Sequence, residues 1–297
     1  MDEEEKWLLE EKYSGTESFA FRADLELLKN GTPLAYLIGS IPFLDCTIHL
    51  DSHPLIPRSE TEFWTEQAIK VIRNFERTYE RTYDHNSPQG SPRELPGQNP
   101  RPGLGLALGR ASGEVHVLDL CAGSGAIGVA VAKAIPQAQV DFAEIDPAHL
   151  PTIEKNIEHN LKPTCRRSNL QHGQCRVIES NLFTPSAGLN RELGKYDFIL
   201  TNPPYIDPAI DRTETSVKLH EPHLALYGGA EGMECIAKII AEAPKHLTLH
   251  GQLWIEHEPE QVDAITALAA ENDLFSTTHN DQYNTPRYSV VTRTVAE

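Results

Sequence analysis

Basic residues are scarce in this chain. Lysine and arginine number 26 against 43 aspartates and glutamates, which leaves a formal net charge of −17. Binding driven by nucleic-acid phosphates needs a basic surface, so the balance tilts away from it and toward a basic partner, most simply a protein. Long apolar runs are also missing; none approaches the roughly 18 residues of a membrane span, and no membrane partner is expected. Cysteine is sparse and odd in number, at Cys46, Cys121, Cys165, Cys175 and Cys235, with no Cys-x-x-Cys. A disulfide framework or a zinc site is therefore not expected, and a reducing compartment is the default. The opening Met1-Asp2-Glu3-Glu4-Glu5 lacks the apolar core of a signal peptide and the Arg- and Ser-rich character of a transit peptide. The expectation is a protein that stays where it is made, or one whose presequence is absent from this sequence.

What is present is a globular composition, 39% hydrophobic and 23% charged, over 297 residues. That length holds one large domain or two smaller ones with ample core. Residues 4–30 are expected to be helical and to end at Asn30-Gly31. They carry too little apolar material for a core of their own. The run Ile41–Leu50 predicts a short hairpin. After Leu55-Ile56-Pro57-Arg58, the residues Trp64, Ala68, Val71, Ile72, Phe75 and Tyr79 fall at helical spacing. Ser59 and Glu62 form a Ser-x-x-Glu capping box at that helix's start. Residues 84–113 hold five prolines and six glycines and read as a flexible surface insertion. They separate an N-terminal region, 1–83, from the main domain, 114–297.

From Val115 onward, strand and helix alternate. Strands are expected at 115–120, 139–145, 175–179, 196–200 and 253–256, with helices at 126–134, 147–160, 233–243 and 262–270. Phe275–His279 and Tyr288–Thr292 predict a closing antiparallel pair. Alternation of this kind implies an α/β fold, a Rossmann-like and mainly parallel sheet with helices on both faces and an antiparallel last strand.

Chemistry concentrates at the carboxyl ends of these strands, where open α/β sheets bind ligands. The first strand ends in Asp119-Leu120-Cys121-Ala122-Gly123-Ser124-Gly125-Ala126-Ile127-Gly128. Gly123 and Gly125 allow a ligand to approach bare backbone. Gly123-x-Gly125-x-x-Gly128 matches a dinucleotide fingerprint, a weak signal alone. Asp119 is expected to meet a positive group, since a carboxylate there repels pyrophosphate and welcomes an ammonium or sulfonium. About 20 residues on, Glu144 is placed to accept both ribose hydroxyls. Asp146-Pro147 reads instead as a helix cap and first turn. Asn181 is placed to bond an adenine edge, with Leu182 or Phe183 on its face. An ammonium or sulfonium, a ribose and an adenine are the parts of S-adenosylmethionine.

The fourth strand runs into Thr201-Asn202-Pro203-Pro204-Tyr205. Consecutive prolines end any helix or central strand and leave a stiff loop. It offers an amide, proline carbonyls without adjacent N–H groups, and an aromatic face. That set suits a planar group bearing an NH2, donating to the Asn202 oxygen and the Pro203 carbonyl while stacking on Tyr205.

Taken together, Asp119–Gly128, Asn202–Ile206 and Ile56-Pro57-Arg58-Ser59-Glu60-Thr61-Glu62 resemble the HemK-type, or PrmC-type, protein N5-glutamine methyltransferases. The run Thr215–Leu226, which contains Glu221-Pro222-His223-Leu224-Ala225-Leu226, extends the match, with Gly228-Gly229 behind it. The Asn-Pro-Pro-Tyr loop alone is shared with amino methyltransferases acting on DNA adenine, RNA guanine and protein, whereas the Ile-Pro-Arg and Glu-Pro-x-Leu-Ala-Leu segments are far more specific. The resemblance covers roughly residues 31–80 and 114–294. It implies a class I methyltransferase that uses S-adenosylmethionine, releases S-adenosylhomocysteine, and methylates the glutamine of the Gly-Gly-Gln motif in peptide-chain release factors. It assigns Cys121, Ala122, Gly123, Ser124, Gly125, Glu144 and Leu182 to the cofactor and Asn202 to cofactor and substrate. Pro203, Pro204 and Tyr205 would hold the glutamine amide. The fungal mitochondrial branch is most similar, through the Thr215–Leu219 run and the short N-terminus, which implies the mitochondrial matrix, with the cytoplasm as the alternative. Three departures stand out. Cys121 replaces a glycine and is expected to take a negative φ. Asn181 replaces an aspartate, which weakens the expected adenine bond. The N-terminal helical domain is cut to about 30 residues. Two rival functions use the same residues: methylation of adenine N6 in nucleic acid, and a non-catalytic module that only binds S-adenosylmethionine.

Overall fold

The strand segments are dense in Val, Ile, Leu and Phe, a composition for strands buried on both faces. The computed structural model describes residues 1–82, 114–161, 174–186 and 192–293, with side chains described as far as 75 in the first span. The expected insertion at 84–113 lies outside the described residues, as does Cys165.

Before the sheet come three helices and a hairpin. The helices are α1 (Glu3–Trp7), continued by a π turn, α2 (Phe19–Lys29) and α3 (Leu34–Ile38). They enclose a small cluster of Leu8, Phe21 and Leu37. The hairpin joins β1 (Ser40–Phe43) to β2 (Cys46–His49) in the place expected. Helix α4 (Ser59–Thr82) follows. The Ser59 capping box is not formed. Ser59 is already helical and its hydroxyl donates to Glu60, while the Glu62 carboxylate accepts from the Leu44 N–H at 2.6 Å. A tertiary partner has displaced the local one.

The main sheet contains β3 (His116–Leu120), β4 (Gln139–Glu144), β5 (Cys175–Asn181), β6 (Thr184–Pro185), β7 (Tyr196–Thr201), β8 (Leu247–Glu256), β9 (Leu274–Asn280) and β10 (Pro286–Arg293). Its order is β6-β5-β4-β3-β7-β8-β10-β9. Strands β5, β4, β3, β7 and β8 are parallel. β10 inserts antiparallel between β8 and the edge strand β9, so the closing pair is confirmed. β8 starts six residues before its expected limit and carries Gly251 inside it.

Helices α5 (Ala126–Ala134) and α6 (Leu150–Asn160) join α4 on one face of the sheet. Helices α9 (Glu234–His246) and α10 (Val262–Glu271) cover the other. Between β7 and α9 lie two short helices without strong sequence periodicity, α7 (Thr215–His220) and α8 (His223–Leu226). Along β7, Phe198 and Leu200 enter one core and Ile199 the other, as the period of two requires. Helix α6 begins at Leu150, because Asp146 first makes a side-chain turn to the Ala148 N–H at 2.9 Å.

The chain leaves β3 toward β4 and β5, then returns to place β7 on the other side of β3. That reversal opens a crevice above the carboxyl ends of β3 and β7. The glycine turn and the Asn202 loop therefore emerge side by side.

Candidate active site

Above this switch point lies a cavity of about 260 Å3. Cys121, Ala122, Gly123, Ser124, Glu144, Asn181, Leu182, Asn202 and Pro204 all line it, so most of the expected site residues share one space. A side-chain carbon built on Gly123 would meet nothing within 4 Å, which leaves its backbone bare toward the cavity. Gly125 lies behind the turn and does not line the cavity; there an added carbon would press on Ile153 at 3.0 Å. Gly128 admits the Phe142 ring, and an added carbon would overlap it. The three glycines thus serve different ends: one opens the cavity, and two bring helices against the sheet.

Glu144 organises the turn. Its carboxylate accepts from the Gly123 N–H at 2.7 Å and the Asp146 N–H at 2.9 Å. It still faces the cavity, with lone pairs remaining for a ligand hydroxyl.

Asp119 does not meet the cavity. Its neighbours Leu118 and Leu120 enter one core, so the pleat turns Asp119 to the opposite face, under α5. There it is fully buried and accepts from the Gly128 N–H at 2.8 Å; its other oxygen has no partner among the described residues. Burial pushes this carboxyl well above the ordinary aspartate value. It anchors the first turn of α5 and does not receive a sulfonium.

Cys121 takes φ +61°, in the left-handed region, and not the negative φ expected of a residue with a side chain. The turn geometry is kept although glycine is gone. The Cys121 thiol is hydrogen-bonded to Cys235, and that bond, then burial, raises it well above the usual cysteine range. The same bond lowers Cys235.

Of the Asn202–Tyr205 loop, only Asn202 and Pro204 line the cavity. Pro203 is buried. Tyr205 lines a second depression of about 210 Å3 beside the first, together with Asp207, Arg212, Glu231, Glu258 and Glu260. Its hydroxyl donates to Glu256 at 2.9 Å. Burial, followed by the charge of Glu256, raises the phenol well above its ordinary value. The Tyr205 ring therefore does not supply the expected stacking face inside the main cavity. It braces the loop from behind.

Two further segments complete the walls. Leu55, Pro57 and Thr61 come from the Ile-Pro-Arg stretch; Pro222, Leu224 and Ala225 come from the Glu-Pro stretch. Arg58 and Glu221 pair at 2.5 Å, and the Ile56 N–H donates to the other Glu221 oxygen at 3.0 Å. Glu221 is buried, so this clasp ties the two walls together across 163 residues. The Asn202 loop is zipped to the same wall by Ile206 N–H to the Leu226 carbonyl at 2.9 Å and Gly228 N–H to the Ile206 carbonyl at 3.0 Å. Gly232, at φ +68°, lies so close to the Tyr205 carbonyl that any side-chain carbon would overlap it.

Sequence reasoning did not single out His149 or Lys238, which also line the cavity. His149 is buried and its Nδ1 shares a hydrogen bond with Ser52 at 2.9 Å, a partner 97 residues away. No local pattern could have paired them. Among the described residues, no group of three or more His, Cys, Asp or Glu could hold a metal ion, and no helix is long and apolar enough to cross a membrane.

The family model for the methyltransferase small domain matches residues 108–221. The chain is 32% identical, over 88% of its length and 73% of the other protein, to the release factor glutamine methyltransferase of Rhodopirellula baltica. It is 29% identical, over 84% of its length and 69% of the other, to the protein of that name from Gloeobacter violaceus. Among solved structures, the catalytic domain of hMettl16 in complex with an MAT2A 3'UTR hairpin superposes with a TM-score of 0.52. It covers 85% of this chain and 77% of that one at 12% identity, a likeness of fold alone. Sheet order, switch-point cavity and sequence relationship agree: this chain belongs to the release factor glutamine methyltransferase family.

Proposed function

We propose that this protein methylates the side-chain nitrogen of the glutamine in the Gly-Gly-Gln motif of a peptide-chain release factor. The observation that carries the reading is the meeting of a bare glycine turn, Glu144 and the Asn202 loop around one cavity. The cavity suits S-adenosylmethionine: Glu144 offers acceptors for ribose hydroxyls, Gly123 leaves room for close approach, and Asn181 and Leu182 stand where the base would lie. Once bound, that cofactor supplies a methyl group on a positively charged sulfur.

The protein's own residues do the rest. An amide nitrogen is a poor nucleophile because its lone pair is delocalised into the carbonyl. The Asn202 oxygen and the Pro203 carbonyl are the proposed acceptors for its two N–H groups, and they favour the positive charge that builds on nitrogen as it is attacked. The amide proton can leave after transfer, so no strong base is required beforehand. Alignment of the two reactants supplies most of the rate. Pro204 lines the cavity, and the Arg58–Glu221 clasp ties two of its walls together.

The decisive experiment is mass spectrometry of release-factor peptides after incubation with this protein and labelled S-adenosylmethionine. One added methyl on the Gly-Gly-Gln glutamine is the expected result. Label on duplex DNA or RNA instead, or cofactor binding without turnover on any release factor, overturns the reading. The net charge of −17 favours the protein substrate over nucleic acid. The relatives named above are bacterial, so the mitochondrial matrix is proposed only on the resemblance carried by the Thr215–Leu219 run and the short N-terminal region, with the cytoplasm as the alternative. Imaging of the tagged full-length gene product distinguishes them.

A further inference from the structure

Behind the Asn202 loop sits a carboxylate that none of the motifs contains. Glu256 is the last residue of β8 and is 1% exposed. Three donors converge on it. The Thr61 hydroxyl donates to Oε2 at 2.7 Å and the Trp64 indole N–H to the same oxygen at 2.6 Å. The Tyr205 hydroxyl donates to Oε1 at 2.9 Å. These groups come from the first turns of α4, the strand end and the substrate loop, up to 195 residues apart. The burial of Glu256 raises its pKa, and the bonds from Trp64, Thr61 and Tyr205 oppose that rise. The Trp64 indole N–H can only donate, so the oxygen it shares with Thr61 acts as an acceptor.

A hydroxyl has one proton. Thr61 gives its proton to Glu256, so toward any other neighbour it can only accept. That neighbour is Asn202, whose Nδ2 lies 3.3 Å from the Thr61 oxygen. A carboxamide can turn over with almost no change of shape. Here the turned-over form would set the Asn202 oxygen against a Thr61 lone pair. The allowed form spends one N–H on Thr61 and leaves the Asn202 oxygen open on the cavity wall.

We propose that Glu256, acting through Thr61, is the positioning residue that fixes the Asn202 carboxamide with its oxygen toward the cavity, as an acceptor for the substrate amide N–H. The chain of command is carboxylate, hydroxyl, carboxamide, and the direction of each hydrogen bond follows from the one before it. The proposal deepens the assigned reaction and rests on it for the identity of the incoming amide. The orientation of Asn202 itself does not depend on that identity.

The test uses the full chain in four forms: wild type, Thr61→Val, Thr61→Ser and Glu256→Gln. Two readouts are taken. The first is kcat and KM for methylation of a recombinant release factor. The second is the exchange protection of the Asn202 side-chain NH2 signals in NMR spectra, recorded without substrate. Valine keeps the shape of Thr61 and removes its oxygen. Thr61→Val is expected to lower kcat by about 100-fold, the lower end of the range for a lost transition-state hydrogen-bonding group because the effect is transmitted through Asn202, with KM for the cofactor changed less than about threefold. It is also expected to abolish the protection of the Asn202 NH2. Thr61→Ser restores both. In Glu256→Gln the Trp64 N–H, which can only donate, holds the new amide's oxygen on the side it shares with Thr61, so Thr61 still donates there and the Asn202 NH2 stays protected; loss of that protection overturns the proposal. An unchanged kcat in Thr61→Val, or Asn202 signals that ignore Thr61→Val, overturns the proposal. A wild-type protein that protects the Asn202 NH2 in a Thr61-dependent way yet labels no release factor supports the positioning role and overturns the substrate reading.

Discussion

A left-handed φ of +61° at Cys121 is an expensive conformation for a residue with a Cβ, roughly 1–2 kcal/mol above the ordinary region. The turn holds it there because Gly123 and Gly125, also at positive φ, fold the chain back over β3. Cys121→Gly is therefore expected to retain or raise stability, since relief of strain offsets the lost thiol contact with Cys235. Cys121→Val is expected to lower it by about 2 kcal/mol or more, because a β-branched residue fits that region worst. Urea denaturation of both variants checks the pair; a valine form as stable as the glycine form would contradict the strain argument. A second single-residue effect is titration of His257. Burial holds its pKa down at about 4. It bonds the Glu258 carbonyl at 2.8 Å and the Ser289 hydroxyl at 2.9 Å as a neutral ring. Because the unfolded chain takes up the proton near 6.5, stability from His257 is complete above that pH and is lost as pH falls toward 4. The loss is on the order of 3 kcal/mol at about 1.4 kcal/mol per pH unit. Thermal melts between pH 7 and pH 4 are expected to be less steep in pH for His257→Gln than for wild type. Residues of this kind are partly legible in sequence: the Cys121 substitution stands out against the glycine pattern, while nothing near His257 announces a buried ring.

Between elements, α6 does work that its sequence conceals. Asn156 and Asn160 stand one turn apart and present their amides to the free edge of β2. Asn156 accepts from the His49 N–H at 2.7 Å and donates to the His49 carbonyl at 3.0 Å, and Asn160 repeats this at Thr47 at 2.9 and 2.8 Å. The spacing of i and i+4 on the helix matches alternate residues on the strand. Asn156 also donates to the Ser124 carbonyl at 2.9 Å, inside the glycine turn. It is fully buried and thus joins hairpin, helix and cavity wall. Asn156→Ala is expected to cost about 3 kcal/mol, because it strands buried backbone groups. It should also weaken binding of S-adenosylmethionine through the loosened turn. Asn160→Ala, at an exposed pair, is expected to cost under about 1 kcal/mol. Urea denaturation and calorimetric titration check the contrast, and equal losses from the two would refute it. At this scale the main strands and helices were legible from periodicity, within a few residues at most ends. The short helices α7 and α8 were not, because four to six residues carry too little pattern and are held by the zipped loops instead.

For the whole molecule, charge is the first-order property. A surplus of 17 negative charges repels phosphate backbones and attracts a basic protein at long range. Association with a basic release factor is expected to slow as salt rises, by roughly tenfold between 0.05 and 0.5 M, while dissociation changes little. Stopped-flow association rates across that range check it; a flat response removes electrostatic steering. The second depression, with Asp207, Glu231, Glu258 and Glu260 around Tyr205, puts part of that charge beside the substrate loop.

By itself the sequence determined the α/β alternation, the glycine turn, the acid after the second strand and the stiff Asn-Pro-Pro-Tyr loop. Each of these is written in the chemistry and spacing of adjacent residues. Only the tertiary structure decided that Asp119 lies under α5 while Glu144 meets the cavity, because the pleat and the helix above it choose the face. It alone turned Tyr205 inward onto Glu256 and set Thr61 against Asn202, 141 residues apart in the chain. Hydrogen-bond direction is a property of neighbours in space, and no stretch of chain contains it.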